Sequence, residues 1–289
     1  MRLSLLAVIF AVLVVSGAVA STTPGPADEA GASSPLDAAG DTAPGLARSP
    51  GRLPWDLLDC TFAIATVAVP SALLAEHLPA GFRPVGGNGA INTPAESQSV
   101  SNVGFEVDDC ASGAGADGDV AGMTYAAMWV AVRPPIGLYR DGVAGYFVNW
   151  DPLVPDAPRR AMFDAAGVPA RDGGVTISSP ATSGAPGGEL AVTFSLDGLG
   201  TFSYGGPVAS DPRGQSGGTF GQWTQRSDGA ARPLTYWQTD WQTTSSYAGA
   251  GTLNVDEDSW WADVLGTTTV PVRLWTGTWA YTDGFIEFP

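Results

Sequence analysis

The chain has 289 residues, with 29 acidic against 13 basic, a formal net charge of -16, and 44% hydrophobic and 10% aromatic content. A surface this acidic repels nucleic acid and anionic lipid, which excludes both as expected partners. All 13 basic residues are Arg and none is Lys, so no side-chain amine is present for imine chemistry, because a guanidinium stays protonated.

Residues 1–20 open with Arg2, run apolar from Leu3 to Val15 and close on Ala18-Val19-Ala20. This is the pattern of a secretory signal peptide, too short for a membrane span, and it predicts a secreted, extracellular protein with no membrane partner after cleavage. Residues 21–52 are rich in Pro, Gly, Ala, Ser and Asp and read as a disordered linker. Residues 53–289 keep a uniform, Trp-, Val- and Gly-rich composition without a second break, which fits one β-rich domain.

Cys60 to Val69 is apolar on both sides, with Phe62 and Ile64 on one and Val67 and Val69 on the other, as expected of a central strand. Pro70 ends it, Ser71 is placed to cap a short helix carrying Leu74 and Leu78, and Gly81 supplies a permissive backbone before Phe82. Val103, Phe105 and Val107 alternate with Gly104, Glu106 and Asp108, the pattern of a half-buried strand whose second face meets solvent. Met123 to Val132 is apolar on both sides and reads as a further central strand, with Gly142 to Trp150 as its neighbour. Asp156 to Gly167 carries helix punctuation at both ends. Leu190, Val192, Phe194 and Leu196 alternate up to Asp197-Gly198, and Phe202 and Tyr204 alternate away from it, which makes a hairpin. Thr235 to Thr244 and Gly251 to Val255 read as two strands, and Ser259 to Leu265 as a helix capped by Asp258 and ended by Gly266. Val270 to Trp275 and Thr278 to Phe288 read as two more strands, with Gly277 and Asp283-Gly284 as turns. The fold class expected is α+β, mainly β: a large antiparallel sheet, barrel-like or sandwiched, with a few short helices.

The run Cys60 to Pro84, a strand ending in Val-Pro, one short helix and then LPAGFRP, resembles the first element of the acetoacetate decarboxylase family. A second match is Gly167-Val168-Pro169-Ala170-Arg171, after the helix-like DAPRRAMFDAA. In that family a Gly-x-Pro turn precedes two lysines, the first forming a Schiff base with the substrate and the second lowering its pKa. The resemblance puts Ala170 at the nucleophile's position and Arg171 at the second. It implies that the scaffold and its cavity are kept without the decarboxylase chemistry, and that no cofactor is required.

Cys60 and Cys110 come side by side if their two strands pair antiparallel, and in an oxidising compartment they are expected to form a disulfide. His77, the one histidine, sits on a short helix and is assigned no role. Asp108, Asp109, Asp117 and Asp119 surround a Gly-rich loop and offer oxygen ligands for Ca²⁺, but the spacing fits no EF-hand and solvated turn aspartates are the commoner case, so no metal is expected. Asp256, Glu257 and Asp258 precede Trp260-Trp261, as carboxylates beside aromatics do in glycosidases, but they equally suit a helix start. Tyr125, Trp129, Arg133 and Arg171 are the candidate ligand residues: two aromatics on a buried strand and two guanidinium groups able to grip a carboxylate. The function expected is non-catalytic binding of a small apolar or carboxylated molecule. The alternative is a carbohydrate-binding or carbohydrate-cleaving β-sandwich using Trp223, Trp237, Trp241, Trp260, Trp261, Trp275 and Trp279 with Tyr236.

Overall fold

The computed structural model describes residues 51–86, 99–115, 118–165, 167–180, 187–211, 217–225, 227 and 235–288. The signal peptide and all but the last two residues of the expected linker lie outside them, as does Asp117. Eleven strands dominate: β1 (Gly51–Pro70), β2 (Arg83–Pro84), β3 (Val100–Gly115), β4 (Gly118–Arg133), β5 (Gly145–Leu153), β6 (Gly173–Ser178), β7 (Gly188–Leu196), β8 (Gly200–Val208), β9 (Gly217–Gln225), β10 (Thr235–Val255) and β11 (Thr269–Phe288). Three short helices complete the described elements, α1 (Ser71–Ala75), α2 (Ala157–Ala165) and α3 (Trp260–Leu265), with a 3-10 turn at Ile136–Leu138. The fold is thus mainly β with few short helices, as the alternation predicts.

Pairing runs β11-β1-β3-β4-β5-β9-β10, and β10 also pairs β11, so the order closes into a ring. The ring is not a plain barrel. β10 pairs β9 through Thr235–Gln242 and β8 through its far half, so β8, β7 and β6 leave the ring as a wing. The sheet is antiparallel except at β5–β9, where Gly145 to Trp150 run parallel to Phe220 to Gln225. Apart from that one parallel pair, the large sheet is antiparallel, as expected.

Strand alternation sends Ala63, Ala65 and Val67 of β1, Phe105 and Val107 of β3, and Met128 and Val130 of β4 to the ring's outer face. There they pack under the wing and α3, against Phe194, Phe202, Tyr204 and Trp261, all but fully buried. Tyr204 anchors this layer by donating to the Ala63 carbonyl at 2.7 Å.

Several local readings change. β1 begins before Cys60, crossing irregularities near Leu57 with Asp59 at φ 51°. Ser71 is the first helical residue, and its hydroxyl meets Ser101 at 2.7 Å instead of capping. The α3 cap residue is Ser259, while Asp256 holds the preceding turn by accepting from the Asp258 N–H. β10 and β11 are each one strand, with pairing irregularities between Thr243 and Ser245 of β10 and at the expected Asp283-Gly284 turn of β11. Gly277 is no turn: a Cβ there would meet the Phe62 ring and the Ser245 carbonyl, so glycine admits a close approach. By contrast α2 follows its punctuation, with Asp156 accepting from the Arg159 N–H at 3.1 Å and Gly167 at φ 79°. β6, β9 and the two-residue β2 are the strands absent from the sequence-based expectation.

Candidate functional site

The ring's inner face is arranged in rungs by strand register. At one end the disulfide joins Cys60 to Cys110, with Trp279 opposite Cys60 and Met123 opposite Cys110. The next rung holds Phe62, Asp108 and Tyr125, and the one after it Ile64, Glu106, Ala127 and Trp275. Then come Thr66, Gly104, Trp129, Asn149 and Arg273, and finally Ala68 with Asn102. Exposure rises along this series: Phe62 is buried, Ile64 and Thr66 are half-buried and Ala68 is exposed. On β11, Trp279 is buried, Trp275 half-buried and Arg273 exposed. The cavity therefore opens at the Ala68 and Arg273 end. At the other end Phe163 of α2 and the turn Val168–Ala170 pack with Tyr125, Trp237 and the disulfide, closing the floor.

Between these ends lies a cavity of about 810 Å³, walled by Trp129, Phe147, Phe220, Trp241, Trp275 and Trp279. Its polar lining includes Glu106, Asn149, Gln222 and Tyr281, with Asn102 and Arg273 toward the opening. Gly104 makes the Trp129 placement possible, because a Cβ at that position would fall inside the indole. Asn149 Nδ2 donates to Gln222 Oε1 at 2.6 Å and lies 3.4 Å from the Tyr125 hydroxyl, fixing the polar side of the wall.

Two carboxyl groups sit inside, and among the described residues no base stands beside them. Burial pushes Glu106 up to about 7, against hydrogen bonding that lowers it. Burial, and then the Glu106 charge, push Asp108 well above the usual carboxylate range. The Tyr281 hydroxyl bridges them, 3.2 Å from Glu106 Oε1 and 3.4 Å from Asp108 Oδ2. Burial followed by these two charges raises Tyr125, Tyr204 and Tyr281 well above a phenol's ordinary value, so all three keep their protons. The Trp129 indole lies near Glu106 and that of Trp279 near Asp108, each favouring the ionised acid. Among the described residues neither indole N–H closes a hydrogen bond of full geometry, and Asp108 Oδ1 finds no partner.

Of the four expected ligand residues, Trp129 stands in the cavity wall. Tyr125 is buried at the floor, facing Asp108 across the strand pair but outside the lining. Arg133 ends β4 opposite Arg83, away from the lining. Arg171 is buried and ion-paired through Nε to Asp151 Oδ1 at 2.5 Å, with its backbone N–H donating to the Pro152 carbonyl. Asp151 also accepts from the Ser227 N–H at 3.2 Å. Ala170 is buried in the cluster beneath the floor with Tyr125 and Trp237. The exposed His77 ring lies beside Trp260 at 4.5 Å, and its carbonyl accepts from the Trp150 indole. Glu106, Asn149 and Gln222 were missed as site residues.

The arrangement limits the chemistry. Glu106 can give or take a proton near neutral pH, but it and Asp108 stand two residues apart on one strand. They do not face each other across the cavity as the two carboxyls of a glycosidase do. Among the described residues no group of three or more His, Cys, Asp or Glu could hold a metal ion. Asp109 is exposed and accepts from Thr124, and Asp119 is described by its backbone alone. None of the eight aromatics named for carbohydrate binding is exposed.

No protein-family model and no curated protein matches the sequence. Solved structures do match in fold. The enduracididine biosynthesis enzyme MppR with HEPES buffer bound aligns with TM-score 0.53 and 13% identity, covering 82% of this chain and 86% of that one. The same enzyme complexed with pyruvate gives TM-score 0.53 and 13% identity over 81% and 90%. An acetoacetate decarboxylase from Legionella pneumophila gives TM-score 0.52 and 12% identity over 81% and 86%. The fold-level resemblance to acetoacetate decarboxylase-like proteins expected from LPAGFRP is therefore shown.

Proposed function

We propose that this is a secreted, non-catalytic protein that binds a small apolar or carboxylated molecule in the central cavity of an acetoacetate decarboxylase-like fold. The observation that carries it is the one-ended, aromatic-walled volume of about 810 Å³ inside the ring, a size and lining suited to a small ligand. The missing amine argues against imine catalysis: the chain has no Lys, and Ala170, at the nucleophile's position in the resemblance, has no reactive group. Fold and chemistry separate readily, so a pocket outlives its reaction. MppR, whose fold is similar, has been captured with pyruvate and with HEPES, which supports small acids as a class to try first.

A thermal-shift screen against short-chain keto acids, fatty acids and oligosaccharides tests the reading. A ligand at one hundred times its Kd stabilises the folded state by about 2.7 kcal/mol, a shift of roughly 5–10 °C for a domain of this size. A saturable shift with a keto or fatty acid supports cavity binding. A shift with oligosaccharides alone supports the carbohydrate reading, and no shift in any class refutes the proposal.

A further inference from the structure

Among the described residues, the ring's interior holds acids and aromatic rings and no base at the same depth. The described arginines whose acid partners are known pair elsewhere: Arg140 with Glu287, Arg159 with Asp156, Arg160 with Asp172 and Arg171 with Asp151. Arg273 is the lining cation, but it is exposed and shares a rung with Thr66, whereas Glu106 shares the next rung inward with Ile64 and Trp275. One rung is two residues, about 7 Å of strand, and water at the opening screens the guanidinium. Glu106 is 9% exposed, Asp108 is fully buried, and Asp108 Oδ1 has no hydrogen-bond partner among the described residues. Two neighbouring acids in so little water cannot both ionise unless something positive joins them.

The walls supply the second half of a cation site. Trp275 shares the Glu106 rung, Trp129 stands on the next rung outward, and Trp241, Trp279 and Tyr281 also line the cavity; the faces of such rings attract cations electrostatically, most strongly where water is excluded. We propose that the ligand's head is an organic ammonium ion, seated among the rings of Trp129, Trp241 and Trp275 with the Glu106 carboxylate as its counter-ion. This rests on the reading of the cavity as a ligand site and names the ligand's chemistry. A carboxylate elsewhere on the same ligand is met by Arg273 at the opening. The acidic surface, with a formal net charge of -16, draws cations toward that opening.

Binding such a head ionises Glu106, which burial raises to about 7, so a proton leaves as the cation enters. The groups facing Glu106 are Asp108 on its own strand, Tyr125 on β4, Tyr281 and Arg273 on β11, with Tyr204 behind the sheet. The phenols keep their protons in this range, which leaves the two carboxyls as the groups that titrate.

The test is calorimetric titration of the full protein with two matched pairs, choline against 3,3-dimethylbutan-1-ol and 2-phenylethylammonium against 2-phenylethanol. Each pair has nearly one shape and differs in charge. At least one cation is expected to bind about tenfold or more tighter than its neutral partner at pH 8, the scale of a desolvated cation–π contact. That advantage shrinks at pH 5.5, and at pH 6.5 cation binding releases protons, read as a heat that depends on the buffer's ionisation enthalpy. Glu106→Gln abolishes the advantage, and Glu189→Gln, on an exposed strand position, keeps it. Proton release is measured on the unaltered protein, so the test survives a variant that folds poorly. If both neutral partners bind as tightly as the cations, the cation site is refuted and the ligand cavity stands. If none of the four binds, the cation site is refuted, and the acid screen decides the cavity independently.

Discussion

Replacing Glu106 with Gln should stabilise the protein at alkaline pH and leave it nearly unchanged in acid. Glu106 titrates near 4.5 in an unfolded chain and at about 7 in the folded one, chiefly through burial. Between those values the folded state holds a proton that the unfolded chain has released. Stability therefore falls as pH rises through that window, and the loss is complete above it. At 1.36 kcal/mol per pH unit the full cost is about 3 kcal/mol. Gln fills nearly the same volume, carries no charge and can accept from the Tyr281 hydroxyl, so it escapes this cost. It also spares Asp108 a neighbouring charge, which acts in the same direction. Urea unfolding of both proteins with the disulfide intact, from pH 4 to pH 9, isolates the effect as a difference, because the other acids are common to both. The variant's advantage should climb from near zero at pH 4 to about 3 kcal/mol at pH 8. A difference that stays flat, or a variant weaker than the parent at pH 8, would mean that Glu106 is ionised and compensated, and the reasoning fails.

Arg171→Met should cost about 3–5 kcal/mol, because it strands the fully buried Asp151 carboxylate; Asp151→Leu added to it should restore much of the loss, measured by the same unfolding assay. Reduction of the Cys60–Cys110 bond, or its replacement by two serines, opens a cross-link spanning a sequence separation of 50 and should lower stability by about 4 kcal/mol in the chain-entropy model. Gly104→Ala drives a Cβ into the Trp129 indole; displacement of that ring should cost about 1–3 kcal/mol and alter the near-UV circular dichroism.

The strands that could be read from sequence were those whose two faces differ plainly or are both apolar. β7 and β8 alternate around Gly198, and β1 and β4 have no polar face. The site itself was hidden by the same rule. Gly104, Glu106 and Asp108 read as the solvent side of a half-buried strand, yet that side faces the inside of a closed ring, where Glu106 and Asp108 are buried. Alternation reports that two faces differ, and ring closure between β10 and β11 decides which of them is wet. β9 escaped notice because GGTFGQWTQ mixes glycines and Gln with its aromatics: Phe220 and Gln222 line the cavity while Gly221 lets Tyr146 and Tyr236 approach its backbone. The splits expected in β10 and β11 followed glycines that serve close packing, as Gly251 does against the Gly205 carbonyl and Leu274. Trp129 was legible because a tryptophan on an otherwise apolar strand must be enclosed, whereas nothing local in the sequence announces that Arg171 turns toward Asp151.

Calorimetric titration of the strongest ligand from the screen into the parent protein and into Thr66→Trp tests the cavity most directly. Thr66 is half-buried in the cavity lining, one rung inside the opening, so an indole there blocks the way to Glu106 without burying a new charge. Binding should fall at least about tenfold, 1.4 kcal/mol, while the melting temperature of the empty protein is largely kept. Equal affinity in the two proteins would place the ligand outside the ring and contradict the account.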